Sequence, residues 1–171
     1  MDGEHSLEIC QYWTTKVITE CYKALCDYNV ILEGTLLKPN MVLPGTSCKA
    51  QATPEQIGRA TLTALQRSVP VAVPAICFLS GGQSEEEATV NLNAINAIKD
   101  KRPWHVTFSF GRALQKSALL TWAKDPSNMQ AVHEVFLRRC KANSEAVQGI
   151  YGGDAATSES KQSLFTKNYT Y

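Results

Sequence analysis

The stretch Val30-Ile31-Leu32-Glu33-Gly34-Thr35-Leu36-Leu37-Lys38-Pro39-Asn40 decides how the rest of the chain is read. Residues 30–37 read as a short buried strand that runs into a lysine. Alternation along a strand places Leu32, Gly34, Leu36 and Lys38 on one face. Pro39 lacks the N–H that a central ladder needs and biases Lys38 toward extended backbone, so the strand ends there. An amine at the C-terminal mouth of a buried strand is placed for chemistry. Low dielectric disfavours the ammonium form, and a neutral lysine amine attacks a carbonyl to form a Schiff base. On position alone, a solvated surface lysine is the other reading.

Upstream, residues 6–27 read as a helix capped by Ser6, with Cys10, Trp13, Val17, Cys21, Ala24 and Leu25 as its core-facing stripe. Downstream, Pro44-Gly45 marks a turn, and Thr53-Pro54-Glu55-Gln56 is a capping-box helix start. That helix runs to about residue 67 and buries Ile57, Ala60, Thr61, Ala64 and Leu65. Residues 71–79 form a nearly all-apolar second strand, as expected where both faces of a parallel sheet are covered. It ends in Ser80-Gly81-Gly82-Gln83, and Ser84 with Glu87 caps the next helix, which buries Ala88, Leu92, Ile95 and Ile98. A third strand, residues 104–110, alternates Val106, Phe108 and Phe110 against His105, Thr107 and Ser109. Gly111-Arg112 opens another helix, a last helix spans about residues 128–147, and the chain turns small and polar from Tyr151.

The order is one helix, three strand-helix units and one further helix: an α/β pattern with a parallel sheet and right-handed crossovers. Two segments follow from it: residues 1–150, and a flexible tail over residues 151–171 anchored at Leu164-Phe165.

Apolar residues make up 44% of the 171-residue chain and charged residues 19%, which fits a folded domain rather than a disordered one. A net charge of +1, with both signs interspersed, argues against nucleic acid or an anionic membrane as the main partner. The longest apolar run, residues 69–79, is broken by Pro70 and Pro74 and is too short for a membrane span. The six cysteines have no metal-type spacing and read as free, buried thiols of a reducing compartment. Met1-Asp2-Gly3-Glu4-His5-Ser6 has neither a basic region nor an apolar one, so no signal or transit peptide is expected. His105 and His133 read as strand and helix-surface residues rather than catalysts.

The loops after the second and third strands also invite a phosphate reading. Glycines in Ser80-Gly81-Gly82 permit close backbone approach, Ser80 offers a hydroxyl, and Arg112 offers a guanidinium fork suited to phosphate oxygens. The residues alone are equally consistent with ordinary turns and a solvated arginine.

Leu32-Glu33-Gly34-Thr35-Leu36-Leu37-Lys38-Pro39-Asn40-Met41 resembles the active-site signature of class I fructose-bisphosphate aldolase, in which the lysine is the Schiff-base residue. The resemblance continues through Ser80-Gly81-Gly82 and Gly111-Arg112 to the terminal Tyr171 and covers essentially the whole chain. It implies a (β/α)₈ barrel, a fold of about 250 residues, of which this chain would supply the last three βα units plus an extra helix and the tail. It also implies reversible cleavage of fructose 1,6-bisphosphate to dihydroxyacetone phosphate and glyceraldehyde 3-phosphate in glycolysis and gluconeogenesis. By that resemblance Lys38 is the nucleophile, and Tyr171 folds over the site and assists proton exchange. Ser80, Gly81, Gly82 and Arg112 bind a substrate phosphate.

No metal or cofactor is implied. The family implies cytoplasmic location and a homo-oligomer, a tetramer in the full-length form. The carboxylates and lysines that assist catalysis in the family sit on earlier strands that this sequence lacks. Glu33 alternates away from Lys38 and reads as a structural ion-pair partner. The alternative to the enzyme is a catalytically inactive aldolase fragment that acts as a phosphate-binding or protein-interaction module.

Overall fold

A computed structural model describes residues 1–169. Its elements are α1 (Leu7–Asp27), a 3-10 turn (Leu32–Gly34), β1 (Leu36–Leu37), α2 (Pro54–Ser68), β2 (Ala75–Phe78), α3 (Glu85–Ala97), β3 (His105–Phe108), α4 (Arg112–Lys124) and α5 (Met129–Gln148). The three strands form one parallel sheet in the order β1-β2-β3. Leu36 and Leu37 face Ala75 and Ile76, and residues Ala75 to Phe78 face His105 to Phe108 in register. The strand-helix alternation expected from the sequence is therefore present.

Local chemistry explains the helix starts. Thr53 Oγ1 accepts from the Gln56 N–H (3.3 Å) while Gln56 Oε1 accepts from the Thr53 N–H (2.9 Å), and Pro54 occupies a position whose N–H would be unpaired anyway. Ser84 and Glu87 repeat the reciprocal pair at 3.1 and 2.8 Å. Each box satisfies two otherwise orphaned donors.

The core lies where the sheet meets α3 and α5. Ile76, Phe78, Ala88, Leu92, Ile95 and Ala146 are fully buried, and Val106, Phe110 and Ala142 nearly so. Burying a side chain the size of Ile76, Leu92 or Phe78 contributes ~1.5–3 kcal/mol. Trp104 closes the entrance to β3 by donating from Nε1 to the Pro70 carbonyl at 2.9 Å. Residues 164 and earlier of the C-terminal segment also meet the core: Tyr151, Ala155 and Ser160 are buried, and Leu164 packs on the main cluster.

Four expectations need correction. Residues 30–37 are not one buried strand: Leu32–Gly34 turn as a 3-10 helix, and only Leu36–Leu37 pair with β2. The turn breaks the alternation that put Leu32 and Gly34 on the face of Lys38. Leu36 is 64% exposed because β1 is an edge strand with no pairing partner on its outer side among the described residues. Second, α1 turns a face rotated from the expected one: Ile18 and Tyr22 are its buried residues, Cys10 and Leu25 of the expected stripe still pack on the core, and Trp13 and Val17 are 59% and 56% exposed. An apolar stripe at helical spacing does not say which apolar stripe meets the core when the helix carries two. Third, the cysteines are free, but none is buried; Cys21 and Cys26 are exposed and the rest intermediate. Fourth, Glu33 is exposed and forms no ion pair among the described residues.

Candidate functional site

Parallel strands point their C-terminal ends the same way, and each loop that leaves this sheet carries one of the residues singled out in the sequence. Lys38 follows β1 directly, and pairing runs one step further where the Leu79 N–H donates to the Pro39 carbonyl at 3.1 Å. Ser80-Gly81-Gly82 follows β2, and the Ser109 N–H donates to the Phe78 carbonyl at 2.8 Å just before Gly111-Arg112. With neighbouring strands about 4.8 Å apart, three such loops share one rim roughly 10 Å wide. The rim is the C-terminal edge of the sheet, where open α/β sheets and barrels place their ligands.

The Ser80 loop is shaped by its glycines. Gly81 and Gly82 have φ +62° and +88°, a left-handed backbone that L side chains adopt rarely. Gln83, 2% exposed, holds the loop from below: its Nε2 donates to the Ser80 carbonyl at 2.9 Å and its Oε1 accepts from Asn91 Nδ2 at 2.7 Å. Ser80 and Gly81 border a small cavity of about 80 Å³ together with Met1, His5, Asn40 and Met41. A second cavity, about 720 Å³, lies between α2, α3 and the C-terminal segment and includes none of Lys38, Ser80 or Arg112.

Arg112 is half-buried and opens α4. Its Nη1 donates to the Leu164 carbonyl at 2.9 Å and to Thr166 Oγ1 at 3.5 Å, and its guanidinium lies 4.5 Å from the centre of the Tyr169 ring. Nε and Nη2 have no acceptor among the described residues. The guanidinium therefore retains donors for an anion while the C-terminal segment fixes its plane.

Lys38 is exposed, and its amine makes neither an ion pair nor a hydrogen bond among the described residues. The desolvation expected of a buried strand end is not supplied by these residues. Tyr171 lies outside the described residues. His105 and His133 are exposed, on β3 and α5. No group of three His, Cys, Asp or Glu side chains among the described residues is placed to hold a metal, and no described helix is long and apolar enough to cross a membrane.

The sequence reading missed a buried polar network beneath the rim. Arg139, 2% exposed, donates from Nη1 to Glu86 Oε2 at 3.2 Å and from Nη2 to the Glu85 carbonyl at 2.6 Å and Thr89 Oγ1 at 2.5 Å. Tyr151 donates its hydroxyl to Glu86 at 2.9 Å, and burial followed by the Glu86 carboxylate pushes its pKa up to about 12. The run Glu85-Glu86-Glu87 was the available signal, because one acid completes the capping box and the other two need another explanation.

The arrangement matches known proteins along the whole sequence. The family model for class I fructose-bisphosphate aldolase matches residues 1–171. A cytosolic fructose-bisphosphate aldolase of Arabidopsis thaliana is 57% identical over 172 residues, covering 100% of this chain and 44% of that protein. Fructose-bisphosphate aldolase B of Homo sapiens is 56% identical over 173 residues, covering 99% of this chain and 47% of the relative. The solved fructose-bisphosphate aldolase of Plasmodium falciparum, in ternary complex with TRAP and a small-molecule inhibitor, superposes with a TM-score of 0.86 at 52% identity. That superposition covers 89% of this chain and 44% of the solved one. The chain thus spans about half the length of its relatives. A match over every residue, joined to the same fold in space, means that this chain belongs to the class I fructose-bisphosphate aldolases.

Proposed function

We propose that the chain carries the nucleophile side and one phosphate-binding side of a Schiff-base aldolase site. One observation carries this: Lys38, Ser80-Gly81-Gly82 and Gly111-Arg112 leave the same end of three adjacent, in-register parallel strands. A ketose phosphate seated there would place its phosphate against the Ser80–Gly82 backbone and the Arg112 fork, with its carbonyl toward Lys38. The Lys38 amine adds to the C2 ketone of fructose 1,6-bisphosphate and water leaves, giving a protonated imine. Loss of the C4 hydroxyl proton then breaks the C3–C4 bond. Its electron pair enters the imine to give an enamine, and glyceraldehyde 3-phosphate departs. Protonation of the enamine and hydrolysis release dihydroxyacetone phosphate, and Tyr171 is assigned to that proton exchange. The reaction uses no metal or other cofactor, and the setting is cytoplasmic, as the names of the Arabidopsis relatives support. The complete enzyme is a homo-oligomer.

A second reading, a phosphate-binding module without catalysis, is favoured by one feature: no charged group among the described residues pairs with Lys38. A titration of the isotope-labelled chain with dihydroxyacetone phosphate, followed by nuclear magnetic resonance and paired with a fructose 1,6-bisphosphate cleavage assay, separates the two. The aldolase reading expects amide shifts at residues 80–82 and 111–112 together with cleavage. The same shifts without cleavage support the module, and no shifts in these loops refute both.

A further inference from the structure

We propose that Glu85 and Ser117 are positioning residues that brace the Ser80–Gly82 loop against the Arg112 loop, so that the two close on one phosphate. The inference rests on the phosphate-site reading above and deepens it. Each loop feeds directly into a helix: Ser80–Gly82 precedes α3 by two residues, and Gly111 immediately precedes α4. The strands hold the roots of the loops together, and the tie between the N-terminal ends of α3 and α4 acts on their outer parts.

Glu85, the first residue of α3, makes that tie. Its side chain is 1% exposed, its Oε1 accepts from the Ser117 backbone N–H at 3.1 Å, and its Oε2 accepts from the Ser117 hydroxyl. Ser117 lies in the second turn of α4, on the helix whose first residue is Arg112. Helix capping does not account for Glu85, because Ser84 and Glu87 already complete that box. A buried carboxylate costs several kcal/mol of desolvation unless its lone pairs are satisfied. Here both oxygens are taken up by one residue of the neighbouring helix. The other half of the brace ties the first loop to α3: Gln83 bonds the Ser80 carbonyl and Asn91 at once. Hydrogen bonds therefore tie the Ser80 loop to α3 through Gln83 and Asn91, and tie α3 through Glu85 and Ser117 to α4, whose first residue is Arg112. Arg139, which donates to the Glu85 carbonyl, fixes the start of α3 from the side of α5.

Such a brace acts on phosphate affinity rather than on the amine. The test is the Kd of dihydroxyacetone phosphate, with unphosphorylated dihydroxyacetone as control, measured by nuclear magnetic resonance titration on the full 171-residue chain. Circular dichroism establishes that each variant is folded. Ser117→Ala is expected to raise the Kd of the phosphate ester about tenfold and to leave the control unchanged, because it removes the charge-assisted hydrogen bond that ties α4 to Glu85. Glu85→Gln is expected to stay within about twofold of wild type, since its amide can accept from the Ser117 N–H and donate to the Ser117 hydroxyl. A folded Ser117→Ala that binds like wild type, beside an Arg112→Ala that binds weakly, overturns the brace alone. So does a folded Glu85→Gln that is weakened as much as Ser117→Ala. An Arg112→Ala that binds like wild type overturns the phosphate-site reading, and the brace with it.

Discussion

Tyr151 shows how one side chain records the state of its surroundings. Burial of the phenol raises its pKa first, and its hydroxyl donates to Glu86, so ionisation would also place a phenolate against a carboxylate; together they push the pKa from 10.0 to about 12. The folded state then holds the proton more tightly than the unfolded chain. The stability this contributes is complete below pH 10 and is lost as the pH climbs through about 12. A spectrophotometric tyrosinate titration of wild type is expected to show a step near pH 12 that Tyr151→Phe lacks; an unchanged curve would mean that burial and Glu86 do not hold the Tyr151 proton. Gly45 is a contrasting case. A Cβ there would fall 2.2 Å from the Gly3 carbonyl oxygen, because the N-terminal segment crosses the turn at that point, with the Gly45 N–H donating to the His5 carbonyl at 2.9 Å. Pro44-Gly45 was legible as a turn, but the crossing was not, since nothing local to either segment encodes their meeting.

Among the elements, those with local causes were the most legible. Both capping boxes and the buried faces of α2 and α3 follow from residues close in sequence, and the strand-helix alternation called for the parallel sheet. Elements whose form depends on neighbours were misread. The 30–37 stretch has strand composition but turns at Leu32–Gly34, and α1 buries Ile18 and Tyr22 rather than Trp13 and Val17. The Arg139 network is the clearest case of a tertiary cause, because it joins α3, α5 and the segment at Tyr151 through side chains 50 or more residues apart. Removing the guanidinium leaves Glu86 buried without its cation. Arg139→Ala is expected to cost about 3–5 kcal/mol in urea denaturation. A loss under about 1 kcal/mol would show that water replaces the guanidinium.

At the scale of the molecule, the sheet has two open sides. Neither β1 nor β3 has an outer partner among the described residues, and Leu36, Ile31 and Val71 are 64%, 75% and 76% exposed. Open parallel edges beside apolar surface invite pairing with another chain. Sedimentation velocity is expected to show average mass rising with concentration, whereas a monomer at every concentration would mean that these edges are self-protected. The rim was legible because a strand end, a glycine pair and an arginine each mark a loop in the sequence. The environment of Lys38 was not, because burial of a rim residue depends on the strands that surround it, and three strands leave it exposed.

The central claim is that Lys38 is the nucleophile. Borohydride reduction of the 171-residue chain with dihydroxyacetone phosphate, followed by peptide mass spectrometry, tests it most directly. The account predicts a reduced adduct on Lys38 that is absent from Lys38→Arg and suppressed by excess inorganic phosphate. An adduct spread over other lysines, or none on Lys38 when a complete aldolase is trapped in parallel, would contradict it.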